Sequence, residues 1–248
     1  MRNIQNYNEK MRRSLMDKVF FIDKIPQDIE VIVDFGCADG SLIYFLSNLF
    51  PEKTYIGYDN NPNMINEAKK GNDKENIHFS GNWECVVDNT KHKKTAIVFS
   101  SVLHEMFDSN DDLRKIFIQD FDYIIVRDMM PSKGIRRQSF HSDVVKVLQR
   151  AKPNFLRTFQ AKWGSIEDNE NLVHYLLKYK YEENWDTEVE ENYFSIKYED
   201  WLEKHLPRKY ECIYTHRYVL PYIYLTVKED FDIEIKDNTH IKAIYKRR

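Results

Sequence analysis

Two aspartates and two glycines near the start of the chain have the spacing of a site for a nucleoside-bearing ligand. An apolar run ends at Asp34, Gly36 and Gly40 follow it, and a second apolar run ends at Asp59. This order predicts a strand, a tight glycine turn, a helix and a second parallel strand, with a ligand pocket at the carboxyl ends of the strands. The glycines let the backbone approach the ligand, and the Asp59 carboxylate can accept hydrogen bonds from ribose hydroxyls.

The residues of the turn distinguish among three cofactors that carry a nucleoside. A triphosphate site requires Gly-Lys-Ser/Thr at the turn, and the sequence contains none. A nicotinamide or flavin site requires Gly-x-Gly-x-x-Gly, but those positions are Gly36, Ala38 and Ser41. S-adenosylmethionine (SAM) has no pyrophosphate and is the remaining candidate, and the alternative is a strand, turn and helix without a ligand. The second acidic strand end, about 20 residues further on, favours the site.

The run Val-Asp-Phe-Gly-Cys-Ala-Asp-Gly, residues 33–40, closely resembles the first signature of class I SAM-dependent methyltransferases. The middle glycine of that signature is Ala38 here, which adds one methyl group. The resemblance covers residues 30–150 and extends to the last two predicted strands, whereas the segment 151–207 matches nothing specific.

The resemblance implies an α/β fold in which a doubly wound, mostly parallel seven-stranded sheet carries helices on both faces. We expect an N-terminal helical extension over residues 1–29 and a methyltransferase domain over 30–248. Within that domain, 151–207 would be an aromatic-rich helical insert or lid before the last two strands.

The spacing of apolar residues predicts the elements that position these residues. Strands are predicted over 30–35, 54–59, 77–81, 95–103, 122–127, 210–218 and 240–246. Helices are predicted over 5–24, 41–49, 62–70, 110–119, 136–150, 172–179 and 198–206.

The resemblance also implies which residues contact the methionyl part of the cofactor. Asp34 would act through the ammonium group or would stabilise the backbone of the turn. Ser100, at the end of the fourth strand, would approach the same ammonium group. The backbone contacts would come from Gly36, Cys37, Ala38 and Gly40.

A second group of residues would contact the adenosine part. Asp59 would bind the ribose hydroxyls, and Asn60 and Met64 would border the adenine. Asn82 stands where the family usually places an acid, and its side-chain oxygen would accept a hydrogen bond from the adenine amino group. Trp83 would stack on the adenine or cover the edge of the sheet.

The fourth strand is followed by Leu-His-Glu, an ending similar to that of small-molecule methyltransferases. A neutral His104 imidazole can take a proton from the acceptor near pH 7, and its alternative role is to pack against the following helix. Glu105 would orient His104 or face the acceptor. Arg127, at the end of the fifth strand, would contact the acceptor or form a local ion pair with Asp128.

Residues 171–206 contain many aromatic side chains and no glycine. An insert after the fifth strand can fold back over the carboxyl edge of the sheet, so we predict that this segment covers the cleft. Tyr193 and Phe194 are the predicted acceptor contacts. The alternatives are a packing extension or a dimer contact.

Composition indicates a soluble enzyme of the cytoplasm. The formal net charge is −3 over 248 residues, so no global positive field attracts nucleic acid or membrane. The three cysteines are far apart, which suggests reduced thiols and offers no metal-ligand spacing. We expect no membrane span, no signal peptide and no bound metal. Basic pairs that could gather for RNA lie at 93–94, 136–137 and 178/180.

These features predict a SAM-dependent methyltransferase that transfers a methyl group to a small or medium organic acceptor, with S-adenosylhomocysteine as the cofactor product. The alternatives are an enzyme acting on RNA or protein, and a catalytically silent SAM-binding protein. The sequence leaves the oligomeric state open.

Overall fold

A computed structural model describes residues 14–107 and 120–248. The helix predicted over 110–119 lies outside these residues, as does the first part of the helix predicted over 5–24. No helix of the described ranges is both long and apolar enough to cross a membrane.

Seven strands form one sheet in the order β3-β2-β1-β4-β5-β7-β6, which confirms the predicted architecture. The first five strands are parallel. The last strand runs antiparallel to β5, because the Arg247 amide bonds the Asp122 carbonyl and the Met130 amide bonds the Thr239 carbonyl. The strands are β1 (Val31–Phe35), β2 (Thr54–Tyr58), β3 (Ile77–Ser80), β4 (Thr95–Ser100), β5 (Tyr123–Met129), β6 (Tyr210–Tyr218) and β7 (His240–Arg247).

The central strands form where the sequence has continuous apolar runs. Every residue of β1, β4 and β5 is buried, as expected for parallel strands covered on both faces. The carboxyl ends of these strands therefore bring residues from distant parts of the sequence to one edge of the sheet.

Eleven α-helices occur in the described part of the chain. They are α1 (Leu15–Lys18), α2 (Ser41–Leu49), α3 (Pro62–Lys69), α4 (Trp83–Thr90), α5 (Leu103–Met106), α6 (His141–Arg150), α7 (Pro153–Trp163), α8 (Asn169–Lys178), α9 (Trp185–Glu188), α10 (Ile196–Asp200) and α11 (Pro221–Phe231). A π-helical turn at Trp201–His205 and a 3₁₀ turn at Leu206–Arg208 complete the helix predicted over 198–206.

Three predicted element bounds were wrong. The helix predicted over 5–24 ends at Lys18, and turns follow it over residues 19–24. The fourth strand ends at Ser100 instead of continuing to residue 103, because Ser101 has a left-handed backbone with φ 59° and Leu103 already begins α5. The helix predicted from residue 136 begins at His141, since Gln138 forms an isolated antiparallel bridge outside the helix.

No helix was assigned from the sequence over α4, α5 and α11, and α7 and α9 were expected only as part of the helical insert over 151–207. Helices α7 and α11 begin at Pro153 and Pro221, which occupy the first helical turn. Proline is tolerated there because the first amide groups have no partner within the helix. Each of these prolines is therefore compatible with the helix that it begins.

The described residues divide into two compact units. The sheet unit comprises 14–107, 120–128, 200–216 and 242–248, and the helical unit comprises 129–199 and 217–241. Each unit has its own apolar core. The core of the sheet unit includes Ile32 and Leu46, and the core of the helical unit includes Phe159 and Leu172.

Candidate active site

The glycine turn after β1 depends on left-handed backbone at two glycines. Gly36 has φ +77° and Gly40 has φ +74°. A Cβ at Gly36 would lie 2.9 Å from Val102 Cγ2, and one at Gly40 would lie 2.6 Å from Phe79 Cζ. Both the backbone conformation and the close neighbours therefore require glycine. The turn also contains Ala38 in a left-handed conformation, with φ 46°.

Asp59 holds this turn against the end of β2. Its Oδ2 accepts a hydrogen bond of 3.0 Å from the Ala38 amide, and its Oδ1 accepts one of 2.9 Å from the Asn61 amide. The Gly36 amide donates to the Tyr58 carbonyl at 2.8 Å. Each carboxylate oxygen has a second lone pair, so half-buried Asp59 can still accept hydrogen bonds from ribose hydroxyls.

Two ionisable side chains, those of Asp34 and Lys18, are buried beside the turn. Their exposed fractions are 4% and 8%. Burial raises the pKa of Asp34 to about 7, although the Lys18 charge acts in the opposite direction. Burial lowers the pKa of Lys18 to about 8, the Arg127 charge adds to this effect, and the Asp34 charge opposes it. Each group therefore influences the charge of the other.

The residues after β3 begin helix α4. Asn82 is the N-cap, and its Oδ1 accepts a hydrogen bond of 2.9 Å from the Glu84 amide. Trp83 is buried, with its ring centroid 5.4 Å from that of Phe35 and 5.1 Å from that of Tyr58. Trp83 thus packs on aromatic residues at the ends of β1 and β2. Contacts of Asn82 and Trp83 with adenine stay predictions.

Three other predicted cofactor residues differ in exposure. Asn60 is exposed, whereas Met64 is buried in α3. Ser100 is 6% exposed, and its Oγ has no hydrogen-bond partner among the residues that the structure describes. A buried hydroxyl without a partner is unfavourable, so Ser100 is suited to a polar group supplied by a ligand.

His104 lies at the start of α5 and is oriented by Asp128 at the end of β5. His104 Nδ1 is 2.7 Å from Asp128 Oδ1. Asp128 Oδ2 accepts hydrogen bonds from the amides of Val102 at 3.0 Å and Leu103 at 2.7 Å. Because the carboxylate can only accept in this arrangement, we assign the Nδ1–H tautomer, which leaves a lone pair on Nε2. His104 is 2% exposed and Asp128 is fully buried.

Glu105 and Arg127 occupy different surroundings. Glu105 is largely exposed, with Oε1 3.9 Å from His104 Nε2, so its contact with His104 is looser than that of Asp128. Arg127 is buried, and its Nε donates to Asp17 Oδ2 at 2.8 Å. Arg127 therefore forms an ion pair with Asp17 of helix α1. Its contact with an acceptor stays a prediction.

Tyr193 and Phe194 belong to the apolar core of the helical unit. Their exposed fractions are 5% and 6%, and both rings lie beside His174. The Lys178 ammonium group lies 3.8 Å from the Tyr193 ring centroid. The acceptor contacts and the lid over 171–206 stay predictions.

Sequence analysis missed Asp128 and Lys18 as site residues. Asp128 follows a predicted strand directly, and β5 is the parallel neighbour of β4. Because β5 lies beside β4, the strand order would have placed Asp128 near His104, which follows β4. Lys18 lies in a polar and basic segment with no distinguishing pattern, and only the fold reveals its burial.

Comparison with known proteins agrees with this fold. A family model described as a methyltransferase domain matches residues 27–154, slightly more than half of the chain. A SAM-dependent methyltransferase from Anabaena variabilis has a TM-score of 0.53 and 14% identity, with 100% of this chain and 96% of that chain covered. The MccD protein has a TM-score of 0.51 and 7% identity, with 94% of this chain and 96% of that chain covered.

The plantazolicin methyltransferase BamL, solved with S-adenosylhomocysteine and a triazolic desmethylPZN analog, has a TM-score of 0.50 and 11% identity. The alignment covers 98% of this chain and 88% of BamL. At such identities the likeness concerns the fold. No curated protein matches the sequence.

The sheet order and the glycine turn with its acidic strand end define a class I SAM-dependent methyltransferase. The chain belongs to this methyltransferase family, as the sequence resemblance predicted. SAM is the methyl donor of the family and S-adenosylhomocysteine is its cofactor product, so these are the cofactor and product of this chain.

Proposed function

We propose that the protein transfers the methyl group of SAM to a small or medium organic acceptor and that His104 removes the acceptor proton. The observation that carries this proposal is the buried contact of 2.7 Å between His104 Nδ1 and Asp128. A histidine held in one tautomer by a carboxylate has the arrangement of a general base with a defined basic nitrogen.

The proposed cofactor site follows from the residues around the glycine turn. Asp59 binds the ribose hydroxyls, and Asp34 faces the ammonium group of the methionyl part. The left-handed backbone at Gly36 and Gly40 lets the methionyl part cross the turn. Ser100 Oγ, which is buried and has no partner among the described residues, accepts a hydrogen bond from the same ammonium group. Adenine is bordered by Asn60, Met64, Asn82 and Trp83.

SAM supplies an activated methyl group, so the protein mainly positions the acceptor and takes up a proton. With SAM bound, the acceptor lone pair would form the new bond to the methyl carbon as the carbon–sulfur bond breaks and its electrons pass to sulfur. The acceptor proton moves to His104 Nε2. The Asp128 carboxylate then stabilises the imidazolium through Nδ1–H.

The basic pairs identified in the sequence favour an acceptor other than RNA. Lys94 pairs with Asp28 at 2.5 Å, and Arg136 pairs with Glu199 at 2.7 Å. Arg137, the other member of the second pair, lies 2.8 Å from Asp237, and Lys180 of the third pair lies 2.5 Å from Asp230. In each of the three pairs, a carboxylate thus neutralises at least one basic side chain that a phosphate backbone would require.

Methyl transfer can be followed with an acceptor whose identity is unknown. SAM carrying a tritiated methyl group is incubated with the protein and a SAM-depleted extract of the source organism, which is then separated into small molecules, RNA and protein. We expect label in the small-molecule fraction and a loss of roughly 100-fold or more in the rate with His104→Gln.

Other outcomes would contradict parts of the proposal. Label confined to RNA or protein would overturn the acceptor class. Binding of SAM without label in any fraction would indicate a catalytically silent SAM-binding protein. An unchanged rate with folded His104→Gln would remove His104 from the mechanism.

A further inference from the structure

Lys18 is a buried lysine whose charge has no direct partner in the described structure. It is the last residue of α1 and is only 8% exposed. Within 14–107 and 120–248, no residue forms a hydrogen bond or an ion pair with its ammonium group. An unpaired buried ammonium group is unfavourable.

Asp34 presents the complementary situation. It is 4% exposed, and its carboxylate likewise has no hydrogen bond or ion pair with any described residue. Lys18 and Asp34 nevertheless act on each other through their charges. Ser100, at the end of the strand that pairs with β1, is a third buried polar group without a partner among the described residues.

Helix α1 is anchored to the sheet by the residue next to Lys18. Asp17 Oδ2 accepts a hydrogen bond of 2.8 Å from Arg127 Nε on β5, and Asp17 Oδ1 pairs with the Lys242 ammonium group on β7. These two ion pairs hold α1 on the sheet unit. The burial of Lys18 is therefore a consequence of the fold.

A buried ammonium group near a buried carboxylate is complementary to the zwitterion of an α-amino acid. The methionyl end of SAM is such a zwitterion. We propose that Lys18 pairs with the α-carboxylate of the cofactor, so that Lys18 and Asp34 together recognise its amino-acid end. This inference rests on the proposed cofactor site, with Asp34 facing the α-ammonium group.

The pairing makes Lys18 a specificity-determining residue. Adenosyl compounds that lack the α-carboxylate leave the buried ammonium group without its partner, and they should bind more weakly. S-adenosylhomocysteine and its decarboxylated form differ only in this group, so their affinities isolate the contribution of the carboxylate.

Isothermal titration with these two ligands tests the inference. We expect wild-type protein to prefer S-adenosylhomocysteine over the decarboxylated form at least tenfold. Lys18→Met should reduce this preference to twofold or less, mainly by lowering the affinity for S-adenosylhomocysteine, the ligand that carries the carboxylate. Lys18→Arg keeps the positive charge and should retain most of the preference.

Lys24→Met is the matched control, because Lys24 belongs to the same segment and pairs with Asp23. It should keep the wild-type preference. Circular dichroism establishes that each variant is folded, and Lys18→Gln, which also removes the charge, replaces Lys18→Met if that variant does not fold.

Three results would overturn the inference, and the third is distinguishable from the first two. If wild-type protein binds both ligands equally, the cofactor site stands but Lys18 does not read the carboxylate. If Lys18→Met retains the full preference, the same conclusion follows. If wild-type protein binds neither ligand, the proposed cofactor site itself fails, and this inference fails with it.

Discussion

The tautomer of His104 is determined by its hydrogen bond to one oxygen of Asp128. Asp128 Oδ1 accepts a hydrogen bond from His104 Nδ1–H at 2.7 Å, while Oδ2 accepts hydrogen bonds from two backbone amides. The carboxylate is thereby fixed in position, and the basic lone pair is placed on Nε2. The proposed proton transfer depends on this tautomer.

The tautomer can be measured in the protein without an acceptor. In ¹⁵N-histidine NMR spectra at a pH where His104 is neutral, we expect a protonated Nδ1 and an unprotonated Nε2. Asp128→Asn removes the charged acceptor, so a mixture of tautomers should appear. The His104→Gln spectrum identifies the signal. A wild-type spectrum with a protonated Nε2 would rule out Nε2 as the base.

The pKa of Asp34 predicts how cofactor affinity depends on pH. Burial raises this pKa from 3.8 to about 7, so the protonated Asp34 carboxyl is the favoured form in the ligand-free fold. The stability that this protonated group contributes is lost as pH rises from 3.8 to about 7. The ligand ammonium group requires the ionised carboxylate. The neighbouring charges that act on Asp34 are Lys18, Asp39 and Asp59.

Below pH 7, binding must therefore release a proton from Asp34, and S-adenosylhomocysteine affinity should fall by up to about tenfold per pH unit. Titrations in buffers of different ionisation enthalpy should show this proton release. Asp34→Asn should flatten the dependence between pH 5 and 7. A wild-type affinity that is constant over this interval would contradict the role of Asp34.

Local spacing made part of the site predictable from the sequence. Asp34, Gly36 and Asp59 lie in one short stretch whose order already indicates a strand, a turn and a second strand. Asp128 and Lys18 could not be assigned in this way. They reach the site through the pairing of β5 with β4 and through the anchoring of α1, and both are long-range features of the fold.

At the scale of elements, the turn between β1 and α2 is fixed by its glycines. Gly36→Ala should cost about 1–2 kcal/mol of unfolding free energy from the left-handed backbone, with more from the contact of 2.9 Å with Val102. It should also weaken S-adenosylhomocysteine binding at least tenfold, because the turn must shift. Gly36→Val should abolish binding. Denaturant unfolding and calorimetry measure the two effects.

Gly71→Ala is the matched control. Gly71 has φ +74°, but an added Cβ there meets nothing within 4 Å. It should therefore show the backbone cost alone and bind the cofactor normally. Normal binding by folded Gly36→Val would show that the turn is not the cofactor site.

Secondary structure was predictable where apolar periodicity was uninterrupted. The strands β1 and β2 and the helix α8 lie where the sequence indicated them. The bounds of α7 and α11 were not assigned, and each of these helices begins at a proline. Proline ends one element and begins the next equally well, and only the packing of the following apolar residues decides which role it has.

At the scale of the whole molecule, the sequence predicted the sheet but not the division of the chain. The strand order follows from a series of strands and crossover helices, and right-handed crossovers leave few alternatives. The helical unit combines 129–199 with 217–241, two segments that are separated in the sequence. Their association depends on core packing, which local patterns do not reveal.

The central claim is that the glycine turn and Asp59 bind SAM. Isothermal titration of S-adenosylhomocysteine into wild-type protein should give a micromolar dissociation constant, about −8 kcal/mol. Asp59→Ala should weaken binding at least tenfold, because it removes hydrogen bonds worth roughly 1.5–3 kcal/mol. Asp73→Ala changes an exposed aspartate of the same unit and should bind normally. Wild-type affinity in folded Asp59→Ala protein would contradict the account.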